Sequence, residues 1–220
     1  MRISASVELG GLGESVVSIA NELRAIAPRC TSTAWCMWNH LCTFHHFAGL
    51  FGPKNKNFLR QIVTNKEWVC FPAGASSKII GSKTDKGIRL KGVAAFGSGS
   101  RYSDWAGVVF NEDWSEDQTP CFSMVDLRKS SVRVEHTCEA MSVRASSTDH
   151  IYYDATVIPE DRVVPWPLRH RENLRDPEYP VINDRYREDW VGLSVVWLGA
   201  MATGLVEVSL NEVAASIKER

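Results

Sequence analysis

The stretch GIRLKGVAAFGSGSRYSDW, residues 87–105, begins as an ordinary strand and then loses its bulk. Apolar and charged side chains alternate over 88–91, as expected for a half-buried strand. After Phe96 the side chains become small over 97–100, and bulk returns only from Tyr102 onwards. Such a run marks either a bulge or loop corner, or a wall where a flat ligand lies against the backbone. Taken alone, the run favours the bulge.

The composition is that of a soluble globular protein with one or two domains. The chain has 220 residues, of which 44% are hydrophobic and 23% charged, and its formal net charge is −1. A balance so close to zero predicts no nucleic-acid partner and no anionic membrane partner. The six cysteines fall in apolar segments, and the sequence shows neither a secretory leader pattern nor a glycosylation motif. It therefore predicts reduced thiols and a cytoplasmic location.

Hydrophobic spacing predicts helices at both ends of the chain and strands in the middle. Helices are expected at 15–27, 33–50 and 55–64, and a last one begins near 185. Strands are expected near 67–71, 87–96, 105–110, 120–126, 131–137 and 150–157. Segregated helices and strands indicate an α+β fold with a mostly antiparallel β-barrel or sandwich in the middle.

Four segments follow from this order. They are an N-terminal helical segment at 1–65, a central β-domain at 66–167, a charged linker at 168–184, and a C-terminal helix within 185–220. The apolar stretch 191–206 contains small polar residues and is followed by Glu207. It therefore predicts a buried bundle helix, and no membrane partner.

Several short motifs occur in one order along the chain. They are ELGGLG at 8–13, STAWCMWNH at 32–40, FPAGASS at 71–77, the opening stretch itself, and RASSTDHIYYDATVIPEDRVV at 144–164. In this order and spacing the chain resembles the acyl-CoA dehydrogenase superfamily. It is most similar to the flavin-dependent monooxygenase branch, which contains the oxygenase components of two-component systems. The resemblance covers nearly the whole chain and rests on the order of the motifs, since each motif alone is weak.

The resemblance gives the opening stretch a role. Members of this branch often have a Phe-x-Ser-Gly segment beside the flavin ring, and this chain has Phe96-Gly97-Ser98-Gly99. By this likeness, Phe96 flanks the ring, Gly97 lets the backbone come close, and Ser98 places its hydroxyl near the flavin N5. The bulk would then be absent because the cofactor supplies it.

The same likeness assigns a second flavin-facing wall to the segment that starts at Phe71. Acyl-CoA dehydrogenases typically have Thr-Glu-Pro-Gly-Ala-Gly-Ser-Asp here, and this chain lacks the threonine and both acidic residues. Aligning the small residues makes Phe71, Ser76 and Ser77 candidate cofactor-binding residues. For Ser77, the sequence supports an ordinary loop serine as well as it supports a cofactor-binding residue.

His40 is the second candidate catalytic residue, beside Ser98. The branch places a histidine on this side of the flavin, and an imidazole has a pKa suited to proton transfer near neutral pH. The alternative is a hydrogen-bonded core histidine. His45 and His46 are weaker candidates, and the spacing of histidines and cysteines does not favour a metal site. The pair Asp149-His150 reverses the order usual in the family, which argues against a role for His150.

The resemblance implies a flavin-dependent oxidoreductase that uses reduced FMN or FAD supplied by a partner reductase. Its O2 chemistry, through a C4a-hydroperoxyflavin, would hydroxylate an aromatic or other small organic substrate. One alternative is an acyl-CoA dehydrogenase-like FAD enzyme that oxidises a Cα–Cβ bond. Another is a non-catalytic subunit, or half of a split enzyme, because the chain looks truncated at both ends relative to the family. Its last helix should need a homo-oligomer or a complementary chain to cover it.

Overall fold

The computed structural model describes residues 2–72, 78–166 and 174–218. Three helices open the chain: α1 (Val16–Ile26), α2 (Thr31–Phe51) and α3 (Lys56–Thr64). A block of strands follows, and a long helix α4 (Trp190–Lys218) comes last. The predicted helices are therefore confirmed, except that the last one begins at Trp190 rather than near 185.

Eight strands are formed by the described residues. They are β1 (Val69–Cys70), β2 (Lys78–Thr84), β3 (Gly87–Gly97), β4 (Trp105–Glu112), β5 (Pro120–Asp126), β6 (Val132–Glu135), β7 (Asp149–Ile158) and β8 (Val164–Pro165). Their order is β6-β7-β3-β2-β4-β5-β8, with β1 paired to β4. Most neighbours are antiparallel, as predicted, but β4 pairs in parallel with both β1 and β2. The sequence analysis did not predict β2 or β8.

The sheet encloses one core on its own concave side. Apolar residues of β7 and β5 belong to one buried cluster, although β3, β2 and β4 lie between these two strands in the sheet order. This curvature is what a barrel or sandwich requires. A tight crossing helps to form it: Gly92 has φ of +139°, and a Cβ there would lie 2.0 Å from the carbonyl oxygen of Lys78. Only glycine fits at that position.

Helix α2 packs on the sheet with one face and on α1 and α4 with another. Its second half is buried on nearly every side. Phe47 and Phe51 contact Phe122 of β5 in the core between α2 and the sheet. On the opposite face, Leu41 belongs to the core formed with α1 and α4. Because α2 is held on two faces, its first turns are fixed against the end of β3.

Helix α4 is only partly covered. Leu193, Trp197, Met201 and Gly204 are buried against α1 and α2, whereas much of the opposite face is apolar and exposed. The expected burial is therefore found on one face. By length and hydropathy this helix also meets the requirements of a membrane span, and 22% of its most apolar 18-residue stretch is buried. The absence of a membrane partner stays a prediction.

The predicted charged linker is partly packed on the N-terminal region. Residues 167–173 lie outside the described residues, but Asn183 Nδ2 donates a hydrogen bond to Glu8 Oε1. Just after the linker, Tyr186 is buried, and its hydroxyl accepts a hydrogen bond from the N–H of Ser6. Arg187 donates to the carbonyl oxygens of Asp176, Pro177 and Tyr179. These contacts fix the segment that leads into α4.

Candidate functional site

A cavity of about 440 Å³ lies at the end of β3. This volume falls within the range of small-molecule sites, roughly 300–1,000 Å³. The walls come from the first turns of α2, the end of β3, the segment between β6 and β7, and the start of β7. The lining residues are Trp35, Phe96, Ser98, Thr137, Cys138, Glu139, Ala140, Ser142, Val143, Ser146, Thr148 and His150.

Phe96 forms an exposed aromatic wall of the cavity. Its φ is +62°, a left-handed conformation that a bulky residue rarely adopts, and its side chain is 58% exposed. The ring of His150 meets it edge-on, with centroids 5.8 Å apart. Backbone strain of this kind is concentrated at functional sites, where the surrounding structure holds it in place.

Ser98 supplies a polar group in the same wall. Its side chain is 6% exposed, and its Oγ accepts a 2.8 Å hydrogen bond from Trp35 Nε1. Thr148 Oγ1 lies 2.9 Å from the same oxygen. The hydroxyl oxygen is thus held from two sides, by α2 and by the segment that precedes β7, and its position is set before any ligand arrives.

The small side chains around Ser98 have a different cause from the one expected. A Cβ on Gly97 would lie 3.3 Å from Ile151, so packing against β7 requires a small residue there. Gly99 has φ of +80°, and Ser100 is buried with its hydroxyl donating to the carbonyl oxygen of Ser147. The expectation that a cofactor replaces all of the missing bulk is therefore wrong: only Phe96 and Ser98 of this run line the cavity.

The segment between β6 and β7 is tied down by one buried carboxylate. Asp149 accepts hydrogen bonds from the N–H groups of Thr137 and Cys138, at 2.9 and 3.0 Å, and from Ser147 Oγ and Arg101 Nε. Burial acts to raise the pKa of this carboxyl, but the hydrogen bonds from Ser147 and Thr137, among others, outweigh it and lower the pKa to about 2. This segment, which supplies eight of the twelve lining residues, was not predicted from the sequence.

Asp149 and His150 point to opposite faces of β7, as neighbours on a strand do. Asp149 is fully buried, and His150 is half-buried and lines the cavity beside Phe96. The sequence reasoning set His150 aside, whereas the structure brings it to the site. Arg144 is exposed in a short 3₁₀ turn and is not among the lining residues.

The structure separates His40 from the cavity at Ser98. His40 is 3% exposed, its Nδ1 accepts from the N–H of Val69 at 3.1 Å, and its ring contacts Trp68. Five residues turn an α-helix by about 500°, so His40 lies roughly 140° around α2 from Trp35. The expectation that it reaches the same cavity as Ser98 is therefore wrong. His40 has the position of a hydrogen-bonded core histidine.

Phe71 does not line the cavity at Ser98 either. It is buried in the core with Phe47 and Phe122, and it lines a separate cavity of about 650 Å³ whose walls include Trp166 and Trp190. Ser76 and Ser77 lie outside the described residues. Of the predicted site residues, the structure thus brings Phe96 and Ser98 together at one cavity, with Gly97 behind them.

The cavity combines the exposed ring of Phe96, a hydroxyl oxygen held in place at Ser98, and a surface that is mainly apolar although it includes several polar side chains. These features suit a flat ring system with polar atoms at its edge, and a flavin is such a group. Phe96 would contact the face of the ring, and the Ser98 hydroxyl would meet a nitrogen at its edge. The residues present therefore fit the group that the resemblance implies.

No family model matches the sequence. A pigment production hydroxylase from a Rhodococcus species is 27% identical over 164 residues, which cover 73% of this chain and 40% of the relative. Among solved structures, the dibenzothiophene monooxygenase TdsC from a Paenibacillus species matches 97% of this chain and 54% of its own, with a TM-score of 0.80 and 17% identity. XiaF from a Streptomyces species, in complex with FADH2 and glycerol, matches 92% and 50%, with a TM-score of 0.77 and 21% identity.

The chain has the fold of these enzymes. The expected acyl-CoA dehydrogenase-like fold is thereby confirmed. A 3-HSA hydroxylase from a Rhodococcus species gives the same result, with a TM-score of 0.74 and 17% identity over 92% of this chain and 52% of its own. The chain spans about half the length of the solved structures it matches, and less of the curated relative.

Proposed function

We propose that the chain carries the flavin-facing part of the oxygenase component of a two-component monooxygenase. One observation carries the proposal: the exposed ring of Phe96 and the fixed hydroxyl of Ser98 lie on the same wall of one cavity. The Phe-x-Ser-Gly arrangement favours oxygenation over the dehydrogenation of a CoA thioester. The structures that share this fold include a dibenzothiophene monooxygenase and a 3-HSA hydroxylase, which supports the same choice.

The cofactor we propose is reduced FMN or FAD, delivered by a separate reductase. TdsC has been crystallised with FMN, and XiaF with FADH2. When bound, the flavin supplies the activation of O2, and the protein supplies binding, orientation and exclusion of water. In this chain, Phe96 would hold the ring, and Ser98 would fix its edge.

The substrate we propose is a small aromatic compound. TdsC has also been crystallised with indole. The cavity of this chain has Trp35 and His150 besides Phe96, and such rings offer flat apolar surfaces to an aromatic ligand.

We also propose that a second copy or a complementary chain covers the outer face of α4. Val195, Leu198, Val206 and Leu210 are among its exposed apolar residues. Exposed apolar surface of this extent is typical of an interface. Sedimentation should therefore show an oligomer, and a stable monomer would contradict this part of the proposal.

The six free thiols fit a cytoplasmic location.

Equilibrium dialysis under anaerobic conditions tests the flavin site. We expect the wild type to bind photoreduced FMN or FAD, and Ser98→Ala to weaken the binding by about 5- to 100-fold, the effect of losing one buried hydrogen-bond partner. Ser100→Ala is the matched control, because this nearby buried serine donates to Ser147 and does not line the cavity.

A pulse of ¹⁸O2 in the presence of indole then tests the reaction. Incorporation of one labelled oxygen atom into the indole product supports a monooxygenase. Failure to bind FMN and FAD in either redox state would contradict the proposed function. Bleaching of bound oxidised FAD by a CoA thioester would point to a dehydrogenase instead.

A further inference from the structure

Behind Ser98 lies a chain of three hydroxyl groups. Ser98 Oγ is 2.9 Å from Thr148 Oγ1, which is 2.7 Å from Ser146 Oγ, and either oxygen of each pair can be the donor. All three side chains line the cavity. On the other side of Ser98 stands Trp35 Nε1, at 2.8 Å, and an indole nitrogen can only donate.

Counting donors and acceptors shows that the hydrogen bonds along these three hydroxyl groups can run in either of two directions. A serine hydroxyl has one hydrogen and two lone pairs, and Trp35 always occupies one lone pair of Ser98. If Thr148 donates to Ser98, both lone pairs are used, and the hydrogen of Ser98 is left for a ligand in the cavity. If Ser98 donates to Thr148, and Thr148 to Ser146, one lone pair of Ser98 is left for a ligand instead. Rotation of the hydroxyls alone converts one state into the other.

We propose that Thr148 and Ser146 are positioning residues that allow Ser98 to serve both redox states of a flavin. The inference rests on the proposed function. N5 of an oxidised flavin accepts a hydrogen bond, whereas N5 of a reduced flavin carries a hydrogen and donates. Ser98 donates in the first case and accepts in the second, while Trp35 keeps its oxygen in place. The direction of the hydrogen bonds among Ser98, Thr148 and Ser146 reverses between the two redox states, so that the buried Ser98 hydroxyl keeps its partners in both.

Thr148→Val tests this role because it removes the hydroxyl and keeps the shape. In this variant Ser98 still donates to oxidised flavin. With reduced flavin, Ser98 accepts from N5–H, but its own hydrogen has lost the acceptor on Thr148. An unpaired buried hydroxyl weakens binding appreciably. The ratio of the dissociation constants of photoreduced and oxidised FMN should therefore rise by about 5- to 100-fold relative to wild type.

Three further variants separate this role from a merely structural one. Thr148→Ser retains a hydroxyl and should restore the wild-type ratio to within about 2-fold. Ser146→Ala should raise the ratio by less than Thr148→Val, and it carries the test if circular dichroism shows that Thr148→Val does not fold. Ser100→Ala should leave the ratio unchanged, because the Ser100 hydroxyl donates to the carbonyl oxygen of Ser147 and not to any of the three linked hydroxyl groups.

The outcomes are distinguishable. If Thr148→Val keeps the wild-type ratio, either because both forms of FMN bind as they do to the wild type or because both are weakened by the same factor, the inference is overturned. The proposed flavin site is not affected by that result. A wild type that binds neither form of FMN overturns both the proposed function and this inference. Only a selective loss of reduced FMN supports the hydroxyl chain.

Discussion

Replacing Asp149 by asparagine should destabilise the protein and loosen one wall of the cavity. The carboxylate is fully buried, with one oxygen bonded to the N–H groups of Thr137 and Cys138 and the other to Arg101 and Ser147. Asparagine keeps one carbonyl oxygen for the two backbone donors. Its amide group then faces two donors, so the charge-assisted bond to Arg101 is lost.

The magnitude follows from the pKa of Asp149. Hydrogen bonding lowers this pKa to about 2 against the opposing effect of burial. An unfolded aspartate has a pKa of about 3.9, so the ionised form contributes about 2 to 3 kcal/mol to the free energy of unfolding at pH 7. Because the folded pKa is the lower one, this contribution is present above pH 4 and is lost as the pH falls toward 2. About half of it remains at pH 3.

Urea unfolding at a series of pH values measures this effect. We expect Asp149→Asn to lose about 2 to 3 kcal/mol at pH 7 relative to wild type, and the difference to shrink between pH 4 and pH 3. Asp154→Asn is the matched control, because Asp154 lies on the same strand with an exposed side chain, and it should change little. Equal stability of Asp149→Asn and wild type at pH 7, or a difference that does not shrink on acidification, would refute the reasoning.

Two further outcomes concern the helices. A Cβ on Gly204 would lie 2.2 Å from the carbonyl oxygen of Arg24, so Gly204→Ala should push α4 away from α1 and lower the free energy of unfolding by about 1 to 3 kcal/mol. Gly199→Ala is the control and should not lower it, because a Cβ there would have nothing within 4 Å. Equal urea midpoints for the two variants would contradict this expectation. Burial lowers the pKa of His45 to about 4, despite a bond to the carbonyl oxygen of Glu188. The wild type should therefore lose about 2 to 3 kcal/mol between pH 6.5 and 4.5 that His45→Gln does not lose, and parallel stability curves would show that His45 is not the cause.

Much of the fold could be predicted because its elements carry local patterns. The apolar spacing of α1 and the alternation along β3 are visible in the sequence, and both elements have nearly the predicted bounds. Strand β2 was missed because Lys78–Thr84 has only two large apolar residues, and one of them, Ile80, is exposed. It forms a local hairpin with β3, but its place beside β4 comes from long-range parallel pairing.

The site was predictable only where it lies on a regular element. Phe96 and Ser98 end a clear strand, and their motif indicated a ligand wall. The segment from 136 to 148 has no hydrophobic period, and its position depends on the bonds of Asp149 to groups 2 to 48 residues away in sequence. His40 was misplaced because the rotation of α2 between it and Trp35 was not taken into account.

Hydrogen–deuterium exchange with and without photoreduced FMN, under anaerobic conditions, tests most directly where a flavin binds. We expect slower exchange in peptides that cover 96–100 and 137–150, where the cavity walls lie. Protection around Phe71, Trp166 and Trp190, with unchanged exchange at 96–100, would place the flavin in the other cavity and contradict the central claim.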